Sequence, residues 1–391
     1  MKKSPVVIVF ATVFLDLLGF GIIIPLLPFY AESFGASAFA VGMLATSFSL
    51  MQFIFAPLWG RWSDRVGRRP IILAGLFGSF LAYLAFGLAD TLTTLFLARI
   101  FAGIAGANIP TAQAVMADVT SAEDRAKGMG LVGAAFGLGF IFGPAIGGFF
   151  SRWGLEAPAY FASALSLANF TAAWFLLPET LKAEHRVTAR VGRIQALTRA
   201  LARPHLPLLL LVGFLVVAAF SGFEATFALF AERRFEFRAD TIGYMFAFIG
   251  IILVIVQGML VGRVARAFGE HHVVPVSLAL VAIGLAMVPA TRSVAALMMT
   301  EAVLAVGMGF NSPSLLSLIS RYSAAEDQGG AMGLTQSLSS LGRVVGPAWG
   351  GFAFDRFGMG SPYLTSAVVM GLACLVAVVS LWRTQLADAR H

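Results

Sequence analysis

The chain has 391 residues, of which 59% are apolar and only 12% charged, with a formal net charge of +7. Soluble domains carry about 25% charged and 45–50% apolar residues, so this composition excludes an ordinary soluble enzyme, a disordered chain and a nucleic-acid binder. One membrane-crossing helix needs about 20 apolar residues, and a bundle of about twelve with short loops accounts for nearly the whole length.

Twelve apolar runs follow in chain order, at 5–30, 39–60, 70–89, 92–118, 127–151, 157–178, 206–231, 240–262, 273–291, 294–321, 328–353 and 361–382. They are long and continuous, which predicts helices and argues against the alternating ten-residue strands of a membrane barrel. The first run carries Asp16 in its middle and lacks a small-residue cleavage site, so it reads as a span and not a removed leader. Runs 2 and 3 flank a loop, Gly60-Arg61-Trp62-Ser63-Asp64-Arg65-Val66-Gly67-Arg68-Arg69-Pro70, in which Gly67 permits a tight turn and Asp64 lies among four arginines. Run 5 holds Gly139-Phe140-Ile141-Phe142-Gly143-Pro144-Ala145-Ile146-Gly147-Gly148. Its glycines allow close helix approach and Pro144 bends the helix. A long basic loop at 179–205, framed by Pro178, Pro204 and Pro207, splits the runs six and six. Within it, residues 193–201 suit a short amphipathic surface helix, and the loop reads as a tether between 1–178 and 206–391. Cys374 is alone in an apolar run, and the five histidines fall in expected loops or at the terminus, His271 and His272 with the wrong spacing for a zinc helix. No hydrolytic nucleophile motif, phosphate-binding loop or paired catalytic carboxylates occur, so no enzyme and no metal or organic cofactor is expected.

Lysine and arginine set the orientation. With the N-terminus inside, the outer loops hold only Arg152, Arg233, Arg234, Arg238, Arg292 and Arg356, and Arg99 and Arg343 stay within spans. Every other Lys and Arg falls on the inside, which makes both termini cytoplasmic. An internal repeat supports the six-and-six division. A shift of 203 places Asn108-Ile109-Pro110 on Asn311-Ser312-Pro313 and Gly143-Pro144-Ala145-Ile146-Gly147-Gly148 on Gly346-Pro347-Ala348-Trp349-Gly350-Gly351; a shift of 202 places Gly60 and Gly67 on Gly262 and Gly269. Two like halves put a substrate site between them near the bilayer midplane.

The 60–70 loop resembles the loop signature of the major facilitator superfamily. The run-5 sequence resembles the motif of that superfamily's drug–proton antiporters, Arg99-Ile100-Phe101-Ala102-Gly103 resembles its fourth-span arginine motif, and Asp16-Leu17-Leu18-Gly19-Phe20-Gly21 with Pro25-Leu26-Leu27-Pro28 is similar to the first span of tetracycline-type exporters. The resemblance covers the whole chain. It implies an all-α polytopic protein of twelve spans in two pseudo-symmetric six-helix bundles, working as a monomer in a bacterial inner membrane by rocker-switch alternating access. It also implies gating by Gly60, Asp64, Arg65, Gly67, Arg68 and Arg69, with Asp64 capping span 11 and Asp118 joining the cluster, and an antiporter motif of Gly139, Gly143, Pro144, Gly147 and Gly148. Arg266 stands where Asp64 would map in the second half, so the inner lock is expected to be asymmetric.

Charges within spans are costly and mark function by default. Asp16 lies about 17 Å from the inner end of span 1 and Arg99 about 10 Å from the outer end of span 4, at about 1.5 Å per residue. Matching depths predict a direct or water-linked pair. Glu224, Glu301 and Arg343 are expected as a second polar cluster in the outer half. Asp16 is the expected main proton carrier, with Glu224 or Glu301 assisting. Substrate contacts are expected from Phe20, one turn from Asp16, and from Gln52, Asn108, Gln113, Phe220, Phe223, Asn311, Gln336 and Ser340, with a helix-kink role equally open for the two Asn-x-Pro sites. Three functions fit: a proton-coupled exporter of small amphipathic compounds, an importer or facilitator of a metabolite on the same fold, and a non-transporting sensor or assembly factor, which the titratable spans disfavour.

Overall fold

The computed structural model describes residues 5–120, 125–181, 205–323 and 328–388, and over them it is all-helical. Each apolar run forms helix, and the departures have local causes. Run 1 is two helices, α1 (Pro5–Ile23) and α2 (Leu27–Ser33), parted at 24–26 where Pro25 lacks a backbone donor. Runs 2 and 3 lengthen into α3 (Ala38–Val66) and α4 (Arg68–Gly87), leaving only Gly67 between them. Run 4 is α5 (Leu92–Ala105) and α6 (Ile109–Val119), broken at 106–108 just ahead of Pro110. Then come α7 (Arg125–Phe150), α8 (Ala157–Leu176) and α9 (Leu206–Phe235). Run 8 outlasts its expected end at 262: α10 (Ala239–Ile255) passes through a π-turn at Val256–Leu260 into α11 (Val261–Phe268). The chain closes with α12 (Glu270–Met287), α13 (Val294–Arg321), α14 (Gln328–Phe357) and α15 (Ser361–Asp388). Eleven of these helical segments are apolar and long enough to cross a membrane, α14 not being among them. The basic stretch 193–201 lies outside the described residues.

The first Asn-x-Pro site lies at a break between helices, and the second is carried within the continuous α13. One expectation is corrected. His271 and His272 are not in a loop but in the first turn of α12, where a His272 ring nitrogen lies 2.9 Å from the Phe268 carbonyl.

By their contacts the residues form two compact units, Met1–Ala189 with Ala231–Gly250, and Arg190–Phe230 with Ile251–His391. In the first, α7 packs on α1 through glycine. A Cβ on Gly139 would meet Leu17 backbone at 3.0 Å, and one on Gly143 would meet Gly21 Cα at 2.6 Å. Gly148 lies on the other side of α7, where a Cβ would meet Gly243 of α10 at 3.0 Å. In the second unit, a Cβ on Gly342 would meet Ala218 N of α9 at 3.0 Å, and one on Gly350 would meet the Gly222 carbonyl at 2.7 Å. Gly139, Gly143 and Gly147 are each followed 203 residues later by Gly342, Gly346 and Gly350, so the same small-residue stripe holds the equivalent helix pair in both units. Large apolar side chains such as Phe175 (79% exposed) and Met299 (72% exposed) line the outside, as lipid-facing helices require.

Candidate functional site

The first unit holds a polar centre on α1, α3, α4 and α5. Asp16 sits in the middle of α1, where its Oδ1 accepts a hydrogen bond from Ser79 Oγ of α4 at 3.4 Å. Arg99 of α5 is 5% exposed, and its guanidinium carbon lies 4.3 Å from the centre of the Phe48 ring of α3. The direct Asp16–Arg99 ion pair is therefore not formed among the described residues. The face of Phe48 holds the cation instead, because Gly103 lets α5 press onto the Phe48 backbone. The Arg99 Nε is left without a hydrogen-bond partner. Phe20, one turn beyond Asp16, stacks on Phe48 at 5.2 Å and meets Phe140 of α7 edge-on at 6.1 Å. Gln52 turns to the helix break, where its Nε2 donates to the Gly106 carbonyl at 3.0 Å. Asn108 is buried against Gly75, and Gln113 is half-buried on α6.

Among the described residues of the second unit, Glu224, Glu301 and Arg343 make no direct ion pair or hydrogen bond with one another. The Glu224 and Arg343 side chains are both half-buried. Glu301 is 1% exposed, with its Oε1 lacking a partner. Tyr363 of α15 is fully buried among Phe223 and Phe230 at 6.0 and 5.0 Å. Phe220 stacks on Phe223 at 5.5 Å; Phe223 is itself 1% exposed and so forms wall more than lining. Asn311 is fully buried and donates to Ser277 Oγ at 3.2 Å. On α14, Gln336 is exposed and Ser340 half-buried.

At one end of the first unit the loop residues come together. Arg68 is 7% exposed and reaches three acceptors: the Asp64 carboxylate, Ser63 Oγ at 2.7 Å, and Asp118 at 3.3 Å. Gly67 has φ +114, a conformation that glycine favours. Arg65 and Arg61 are exposed, Gly60 is half-buried, and Arg69 lies over the Trp174 ring. Glu179 was not singled out from sequence. Its two oxygens accept from the backbone N–H groups of Arg68 and Arg69 at 2.9 and 3.2 Å, capping α4 where the helix dipole favours an anion. The only signal was an acid directly after Pro178.

The second unit carries one pair of this cluster with its charges exchanged, while Arg266 donates to the Gly262 carbonyl at 2.9 Å. A shift of 202 takes Asp64 to Arg266 and Arg68 to Glu270, and a shift of 203 takes Asp118 to Arg321. Glu270 pairs with Arg321 at 3.1 Å and accepts from Ser317 Oγ at 2.6 Å. At the opposite end of the first unit, Arg152 pairs with Asp240 at 3.4 Å and Arg233 with Glu32 at 3.0 Å around a cavity of about 630 Å³.

A buried acid, an unsatisfied buried cation and glycine-packed helices are the parts of a transporter. The family model described as Major Facilitator Superfamily matches residues 9–269 and 258–390. The chain belongs to the Major Facilitator Superfamily. Among curated relatives, Multidrug resistance protein 2 of Bacillus subtilis (strain 168) is 31% identical over 395 residues, covering 99% of this chain and 97% of the relative. Tetracycline resistance protein, class E, of Escherichia coli is 35% identical over 342 residues, covering 86% and 84%. Among solved structures, the human organic anion transporter MFSD10 (TETRAN) superposes with a TM-score of 0.74 at 27% identity, covering 96% of this chain and 99% of that one. As a superfamily member the chain is a multi-pass membrane transporter of small molecules, not an enzyme.

Proposed function

We propose that the chain exports small amphipathic compounds, of the tetracycline or multidrug kind, across a bacterial plasma membrane in exchange for protons. The six-helix halves read from the internal repeat alternate access by rocking, with both termini cytoplasmic, and the protein works as a monomer. The observation that carries this reading is Asp16: a carboxyl at mid-span, held by one long hydrogen bond from Ser79 and paired with no cation among the described residues. Such a group exchanges its proton as its surroundings wet and dry. Asp16 is the main carrier, with Glu224 or Glu301 assisting and H⁺ as the coupling ion. Phe20, Phe48 and Gln52 offer aromatic and polar contacts beside it. The names of relatives covering most of this chain support drug export. Arg99, buried with an unpartnered Nε, favours a second reading in which the cargo is an organic anion, the class that the human MFSD10 transporter is named for.

The test is drug susceptibility of a sensitive bacterium expressing the chain, with and without a proton uncoupler. Resistance that the uncoupler abolishes supports export by proton exchange. Resistance that persists in the uncoupled cell refutes it, and so does tetracycline uptake into everted vesicles that Asp16→Asn leaves unchanged.

A further inference from the structure

Tyr83 appears in none of the motifs, yet the fold sets its ring against α1 at Gly19, one turn from Asp16. It lies on α4 one turn beyond Ser79, so both hydroxyls face α1. Gly19 admits the ring: a Cβ there would lie 3.1 Å from Tyr83 Cε2 and 3.4 Å from its hydroxyl oxygen. The side chain is 7% exposed. Ala82, next to it in the chain, packs in one cluster with Phe48, whose ring holds Arg99, and with Ala102, one turn from Arg99, while Ser79 on the same face of α4 holds Asp16. Arg99 meanwhile has an Nε in want of an acceptor.

We propose that Tyr83 is a positioning residue whose hydroxyl couples the protonation state of Asp16 to Arg99. The inference rests on Asp16 being the proton carrier. When Asp16 is ionised, the Tyr83 and Ser79 hydroxyls both donate to the carboxylate. When Asp16 takes up a proton from water, Tyr83 keeps its own proton, and its oxygen turns to accept from Arg99. No covalent bond changes except that between Asp16 and its proton. Arg99 thereby gains or loses an acceptor as Asp16 loads and unloads, which alters its hold on Phe48 and the aromatic wall made with Phe20.

Among the described residues of the first unit, no other charged side chain pairs with Asp16. Of the helices packed on α1, α7 presents Gly139 and Phe140, and α8 presents Asn169, which donates to the Thr12 carbonyl at 2.9 Å. The acid of α6, Asp118, is at the inner end and engaged by Arg68.

The test measures uptake of tetracycline and of ethidium into everted vesicles across a range of bath pH, for wild type, Tyr83→Phe, Ser79→Ala and Gly19→Ala at matched membrane content. Tyr83→Phe keeps the ring on Gly19 and removes one donor to the carboxylate. The pH midpoint of uptake is expected to rise by about one unit, a tenfold change in proton affinity. Ser79→Ala shifts it the same way, and Gly19→Ala reproduces the Tyr83→Phe shift by displacing the ring. A midpoint unmoved in Tyr83→Phe overturns the inference, as does a uniform loss of uptake at every pH, the mark of a merely structural role. If wild-type uptake follows the pH gradient and Asp16→Asn abolishes it while Tyr83→Phe keeps its midpoint, only the coupling role falls. If wild type carries neither probe under a gradient, the export reading falls and this inference with it.

Discussion

Replacing Gly143 by alanine tests the packing of α7 on α1 with a single methyl group. The added Cβ would stand 2.6 Å from Gly21 Cα, 2.7 Å from Gly21 C and 3.0 Å from Ile22 N. All three are backbone atoms, so no rotamer change relieves the clash. Carbon atoms settle at about 3.5–4.0 Å, so the helices must part locally by about 1 Å. A gap of that size forfeits a quarter to a half of each dispersion contact along the seam, and overpacking of this kind costs about 1–3 kcal/mol. Gly137, on the same helix, has nothing within 4 Å of the corresponding position. There the substitution only removes the entropic handicap of a helical glycine and gains about 0.5–1 kcal/mol. The two variants therefore differ by about 1.5–4 kcal/mol with opposite signs. At about 2 °C per kcal/mol for a large chain, their melting temperatures in detergent should fall at least about 3 °C apart, Gly143→Ala below wild type and Gly137→Ala at or above it. Equal melting of the two by fluorescence-detected size exclusion, or a more stable Gly143→Ala, would show that the glycine stripe does not set the α1–α7 distance.

Arg68→Ala should lower stability by about 2–3 kcal/mol, since it strips the cation from two carboxylates that are only partly solvated, whereas exposed Arg65→Ala should stay within about 0.5 kcal/mol; thermal melting of both variants checks this. Glu270→Arg should destabilise the second unit by crowding cations, and adding Arg321→Glu should recover only about 0.5–1 kcal/mol, because Arg321 is 72% exposed and the dipole at the start of α12 still favours an anion. Full recovery in a double-mutant cycle would mean that the dipole plays no part. Glu179→Ala should cost about 1 kcal/mol through the lost cap on α4. Gly67→Ala should cost more than that, but less when combined with Glu179→Ala, whose carboxylate blocks the new Cβ. Strict additivity of the two in melting experiments would contradict the geometry.

Hydrophobicity alone announced a polytopic helical protein, because a span needs so many apolar residues in a row that no soluble design competes. The repeat announced two related halves, and the loop and run-5 motifs announced the superfamily. Where the helices break was only partly legible. Pro25 and Pro110 stand by a break while Pro313 is carried within a helix, since a proline in a span bends or breaks it according to what its neighbours resatisfy. Asp16 and Arg99 stood out as charges, but sequence depth says nothing about rotation around the helix axis.

Facing was decided by the tertiary structure. It turned Arg99 onto Phe48, brought Ser79 to Asp16, set Tyr83 on Gly19, buried Glu301, and matched Glu179 to the start of α4. The exchange of charges between Arg68–Asp118 and Glu270–Arg321 was present in the repeat all along. It took meaning only once each pair was seen to touch, because a sequence records which charges a chain carries, and packing alone fixes which of them share a space too small for water.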